Sequence, residues 1–212
     1  TLCIFRKCVN LKEQIFLMGG NPPMKKYSIV DKIVLSTKIK RIIIFTVFRE
    51  NWEPYMKKYT EVFQSQFPNL NIDYLLLDTE QIDLDSYLDA DIIIIGGGNT
   101  EKYIATYVNQ EFKSYIDHML NKEAKIIGFS AGALLLGEKV YVSPNDNSDH
   151  QIKIKNGLGL FSQFLISVHY DSWNDKANKD RAEELVNVPI IPLNDHSCLV
   201  LDKLGNIIEK ID

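Results

Sequence analysis

Five short aliphatic runs, each continuous rather than alternating, constrain what this 212-residue sequence can fold into more than any other feature. They are Gln14 to Met18, Arg41 to Val47, Ile72 to Leu77, Asp91 to Ile95 and Ala124 to Phe129. A strand that is apolar on both faces must be covered on both faces, which is the condition of a parallel sheet sandwiched by helices. The stretches between the runs agree. Glu53 to Phe67 spaces Tyr55, Met56, Tyr59, Val62, Phe63 and Phe67 at helical intervals until Pro68-Asn69 stops it. Thr100 to Leu120 reads as one long or two short helices, with Asn99 or Thr100 as N-cap. The expectation is an α/β fold: a doubly wound, mostly parallel sheet with helices on both faces.

From Lys139 onward the texture changes. Shorter strands are expected at Lys139 to Val142, Gln151 to Ile154 and Phe164 to Val168, then a polar helix from Lys176 to Asn187. Two last strands, Ile190 to Leu193 and Cys198 to Leu201, frame the turn Asn194-Asp195-His196. Antiparallel strands added at one sheet edge in this C-terminal half would account for the pattern. The length suits one domain, since chains divide only above roughly 250 residues. Residues 13–212 are read as that domain, and Thr1 to Lys12 as a leader or cloning remnant, its apolar pieces too short for a signal-peptide core.

Composition excludes several function classes. A formal net charge of −4 supplies no basic field for nucleic acid or anionic lipid. No apolar run approaches the roughly 20 residues of a membrane span. The three cysteines, Cys3, Cys8 and Cys198, have no metal-binding spacing, which fits a reduced, cytoplasmic setting.

Chemistry concentrates where apolar runs end. Gly128-Phe129-Ser130-Ala131-Gly132 follows one run and precedes the apolar stretch Ala133 to Leu136, matching the G-x-S-x-G elbow on which a serine is pushed up from a strained strand-to-helix turn. Gly96-Gly97-Gly98-Asn99-Thr100 ends another run. It has neither the dinucleotide nor the phosphate-loop spacing, and suits a backbone that approaches a ligand closely. A serine nucleophile needs a base, and of His118, His150, His169 and His196 the strand-end His169 is the best placed, with His196 its competitor. The orienting carboxylate stays open among Asp146, Asp171, Asp175 and Asp195.

Together these stretches resemble the S51 family of serine peptidases, which includes peptidase E, the α-aspartyl dipeptidase, and more distantly cyanophycinase. The resemblance runs from Phe16-Leu17-Met18-Gly19-Gly20 to Cys198-Leu199-Val200. It rests on Ile95 to Thr100, Gly128 to Ala133, Ile166-Ser167-Val168-His169-Tyr170 and Pro192-Leu193-Asn194-Asp195-His196-Ser197. It implies a sheet similar to that of class I glutamine amidotransferases, and a triad of Ser130, His169 and Asp195. The last stands where the family is expected to carry glutamate, so its carboxylate is one methylene shorter. Gly98 and Ala131 match the oxyanion-hole amides. Asn99 and Asp146, the latter in the pair Asn145-Asp146, and Arg181 match substrate-binding positions, the arginine facing the aspartyl carboxylate of a dipeptide.

The implied function is a peptide-bond hydrolase working by acyl transfer on small peptides, with dipeptides bearing N-terminal Asp as the sharpest version. Such chemistry needs no metal or organic cofactor. An esterase or amidase on the same elbow, or a binding protein on this scaffold, are the alternatives. The expected partner is a small peptide substrate, with the chain a monomer or homodimer.

Overall fold

A computed structural model describes residues 12–34 and 38–212. Residues 1–11 of the proposed leader, with Cys3 and Cys8, lie outside the described residues.

Along the chain run β1 (Ile15–Met18), α1 (Tyr27–Val34), β2 (Arg41–Phe45), α2 (Glu53–Gln64), β3 (Asn71–Leu75), β4 (Ile92–Ile95), α3 (Thr100–Tyr107), α4 (Gln110–Asn121), β5 (Lys125–Phe129) and the short α5 (Ala131–Leu134). There follow β6 (Lys139–Val142), β7 (Lys153–Asn156), β8 (Leu165–Ser167), α6 (Lys176–Val186), β9 (Ile190–Pro192), β10 (Cys198–Leu201) and β11 (Ile207–Ile211). A seven-stranded sheet takes the order β11-β10-β1-β5-β4-β2-β3. Its β1, β5, β4, β2 and β3 are parallel, and β10 and β11 close one side as antiparallel strands.

The two-residue period of a strand divides the aliphatic runs between two cores. Ile43, Phe45, Ile93, Ile95 and Ile126 face one way, against Tyr103, Tyr107, Phe112 and Met119 of α3 and α4. Ile42, Ile44, Ile92, Ile94 and Ile127 face the other, against Ile29 and Ile33 of α1 and Met56, Tyr59 and Phe63 of α2. All four isoleucines of β4 are fully buried. At roughly 1.5–3 kcal/mol for each such side chain, every one of them outweighs any single surface ion pair, which contributes under about 1 kcal/mol.

The helical stretch Thr100 to Leu120 resolves into two helices, because Asn109 caps the second by accepting from the Phe112 amide. Among the α-helices and strands of the described residues, α1 and β11 have no counterpart in the sequence reading. Each is short, α1 gaining its stability by burying Ile29, Val30 and Ile33 and β11 by pairing with β10. The antiparallel addition expected at one sheet edge is made by β10 and β11, while the four strands between Lys139 and Pro192 pair apart from it. β6 and β7 form an antiparallel pair of their own, and β8 and β9 a parallel one, so only β10 and β11 extend the main sheet.

Candidate active site

The parallel strands deliver their C-terminal ends to one edge, and the site is assembled there from the ends of β1, β4 and β5 and the segments that follow β8 and β9. Between β5 and α5, Ser130 has φ 48° and ψ −112°, a backbone region that a non-glycine residue occupies only at a cost of about 1–3 kcal/mol. The surroundings hold it there: its amide donates to the Met18 carbonyl at 3.0 Å. The flanking glycines are required by contact. A Cβ on Gly132 would lie 2.2 Å from the Ile95 carbonyl oxygen, and one on Gly128 would lie 2.5 Å from the Gly132 carbonyl oxygen. Only bare backbone lets α5 pack so closely on the end of β4.

His169 follows β8 with φ 52°. Its amide donates to the Gly19 carbonyl at 2.8 Å, so Ser130 and His169 hang from adjacent carbonyls at the end of β1. Ser130 Oγ lies 2.9 Å from His169 Nε2. On the other side of the ring, Nδ1 is hydrogen-bonded to Asp195 Oδ1. A carboxylate at Nδ1 keeps the proton on that nitrogen and leaves Nε2 as acceptor for the serine hydroxyl. Trp173 packs on the imidazole with ring centroids 4.5 Å apart. Ser130 and His169 are buried, while the Asp195 side chain is 38% exposed.

Among the four aspartates left open by sequence, the structure brings Asp195 to the ring. Asp171 is exposed. Asp175 is fully buried in a separate knot, its carboxylate accepting from Tyr141 at 2.9 Å, Ser143 at 2.5 Å, Ser167 at 2.9 Å and Asn178 at 3.1 Å. That knot ties β6, β8 and α6 around the segment bearing His169. Asp146 accepts from the Thr100 hydroxyl at 2.5 Å. Burial raises its carboxyl to about 6, against the opposing pull of the Thr100 hydrogen bond and of nearby His169.

The remaining candidates scatter. Gly98 is exposed beside the elbow and Ala131 opens α5; no hydrogen bond among the described residues engages either amide. Asn99 caps α3, its side-chain oxygen accepting from the Lys102 amide at 2.8 Å. Asn145 reaches the carbonyl of Trp173 at 3.1 Å, which sets Asp146 near the histidine. Arg181 is exposed on α6, with no ion pair among the described residues. His118 and His150 are exposed, the latter bonded through Nδ1 to the Pro144 carbonyl at 3.1 Å. His196 lines, with Asn21, Lys25, His169, Trp173 and Asp195, a cleft of about 590 Å³.

A model of peptidase family S51 matches residues 15–207, nearly the whole chain. The chain belongs to peptidase family S51. Solved structures with the same fold include a peptidase from an acI-B1 Actinobacterium, at 16% identity and a TM-score of 0.65, with 91% of this chain and 85% of that one covered. Another is a candidate peptidase E protein from Listeria monocytogenes EGD-e, at 19% identity and a TM-score of 0.66, covering 94% of this chain and 100% of that one. No curated protein matches the sequence significantly. No helix among the described residues is long and apolar enough to cross a membrane.

Within this S51 chain, sequence patterns pick out Ser130 and His169 but give no role to Met18, Gly19 and Gly20, which hold the site together. A Cβ on Gly20 would lie 2.6 Å from Asp195 Cα. The Gly-Gly pair after an apolar strand is the same signal that marks Gly96 to Gly98, and could have been read that way. Asp175 carries no such signal, since two of its partners, Tyr141 and Ser143, lie more than thirty residues away in the chain.

Proposed function

We propose that this S51 chain is a serine peptidase that cleaves small peptides through an acyl-enzyme. The observation that carries the reading is the contact of Ser130 Oγ with His169 Nε2 at 2.9 Å, in a ring whose Nδ1 is held by Asp195. His169 takes the Ser130 proton as Oγ attacks the scissile carbonyl carbon. The oxyanion so formed accepts hydrogen bonds from the amides of Gly98 and Ala131. Collapse expels the amine, protonated by His169, and a water activated by the same imidazole releases the acyl group. Asp195 stabilises the imidazolium in both halves.

On the substrate side, Asp146 stands beside the histidine as a carboxylate for a cationic group, and Asn99 lies at the mouth of the glycine loop. The sharper version, preference for an N-terminal Asp, rests on Arg181 as a carboxylate fork. That arginine has no partner to give up among the described residues.

Labelling with a fluorophosphonate tests the reading. The unaltered protein should label covalently, and Ser130→Ala should fold and not label. Labelling that persists in Ser130→Ala would remove the serine from its role.

A further inference from the structure

Two buried tyrosines meet at the loop that ends β4, one from each side of the sheet. Tyr59 belongs to α2 and the core beneath one face, Tyr103 to α3 and the core of the other. The Gly97 amide donates to the Tyr59 hydroxyl at 2.8 Å. The Tyr103 hydroxyl donates to the Gly97 carbonyl at 3.3 Å and contacts Thr46 Oγ1 at 3.1 Å, leaving the threonine hydroxyl as donor to the tyrosine oxygen. Gly97 itself abuts the nucleophile, since a Cβ there would lie 3.3 Å from Ser130 Cβ.

We propose that Tyr59 and Tyr103 are positioning residues that clamp Gly97 from both sides and so aim the Gly98 amide at the developing oxyanion. The proposal rests on the serine-peptidase reading above. The geometry that supports it is covalent. The carbonyl gripped by Tyr103 and the Gly98 N–H are two ends of one planar peptide group, so fixing the carbonyl fixes the N–H. The peptide before it is fixed by Tyr59. Glycine needs such a grip more than any other residue, because nothing in its own side chain limits its backbone. A donor that is already aimed requires no reorganisation when charge develops, and a hydrogen bond to the carbonyl polarises the same amide. Both hydroxyls keep their protons at working pH. Burial holds Tyr59 well above the ordinary tyrosine value and pushes Tyr103 up to about 12.

The two hydroxyls form no contact with a substrate in this scheme, so their removal should alter the rate of the covalent step and leave binding alone. The experiment measures fluorophosphonate labelling of Ser130 as kinact and KI, with Tm measured in parallel, for Tyr59→Phe, Tyr103→Phe and the control Tyr115→Phe. Tyr115 is buried too, but its hydroxyl bonds the distant Tyr87 carbonyl. Expected is a fall in kinact of about tenfold for Tyr59→Phe and Tyr103→Phe, smaller than the loss on removing an oxyanion donor itself. KI should be unchanged, and Tyr115→Phe should label as the unaltered protein does. If the Phe variants do not fold, Thr46→Val removes the partner of the Tyr103 hydroxyl with both rings in place, and should lower kinact about threefold. Folded variants that label at the unaltered kinact, or that change only KI, overturn the clamp and leave the serine-peptidase reading standing. An unaltered protein that does not label overturns both.

Discussion

Ser130 and His169, 39 residues apart in the chain, stand 2.9 Å from each other because the carbonyls of Met18 and Gly19, consecutive at the end of β1, receive their two amides. The proposed nucleophile and its proposed base are thus positioned by backbone that carries no chemistry of its own.

His169→Ala should lower turnover and labelling by roughly three orders of magnitude or more, as removal of a triad member does. His118→Ala and His150→Ala should leave both nearly unchanged, since those rings are exposed and neither is hydrogen-bonded to Ser130. Steady-state rates on a dipeptide panel check this, and a dead His150 variant would relocate the base.

Asp195→Asn keeps the shape of the side chain and loses the charge that holds Nδ1 protonated. Turnover should fall by about 10³–10⁴ with little change in KM. An Asp195→Asn protein of normal activity would leave the contact with His169 without a catalytic role.

The raised carboxyl of Asp146 sets a pH dependence whose sign follows from linkage. Its proton is held up to about 6 in the folded chain against 3.8 unfolded, so the native state binds more protons between those values. The group's contribution to stability is therefore present below about pH 3.8 and is lost as pH rises towards 6. Asp146→Asn should raise Tm at pH 8 relative to the unaltered protein and leave it close to unchanged at pH 3.5. A Tm difference that is the same at both values would contradict the burial of this carboxyl.

The proposed preference for an N-terminal Asp is tested at Arg181. Asp-Leu should be cleaved faster than Ala-Leu, and Arg181→Ala should remove most of the difference without altering labelling of Ser130. Equal rates on the two dipeptides in the unaltered protein would exclude aspartyl preference while leaving the hydrolase in place.

Asp175→Ala strips the acceptor from four side chains at once, three of them buried: Tyr141, Ser143 and Ser167. The loss should be at least about 3 kcal/mol, since each buried donor left without a partner costs about 1–3 kcal/mol. Urea unfolding measures it, and a loss under about 1 kcal/mol would mean the knot is dispensable.

What the sequence determined by itself was everything whose signal is local. The aliphatic runs specified the central sheet because burial on both faces leaves little room for polar residues in its inner strands. The glycines of Gly128 to Gly132 marked the elbow because close backbone packing tolerates no Cβ there. The strand-end place of His169 was legible because the short run Phe164 to Val168 stops there. What only the tertiary structure decided was which distant groups meet. Asp146, Asp171, Asp175 and Asp195 are equivalent as carboxylates in a sequence. They differ in the folded chain because the Gly19-Gly20 turn lies against Asn194 and Asp195, which carries one of them to His169, while hydroxyls from β6 and β8 absorb Asp175. Likewise β6 to β9 look like edge strands, yet the edge beyond β1 is taken by β10 and β11. Such choices depend on competition for partners across the whole fold, and a run of residues carries no record of its competitors.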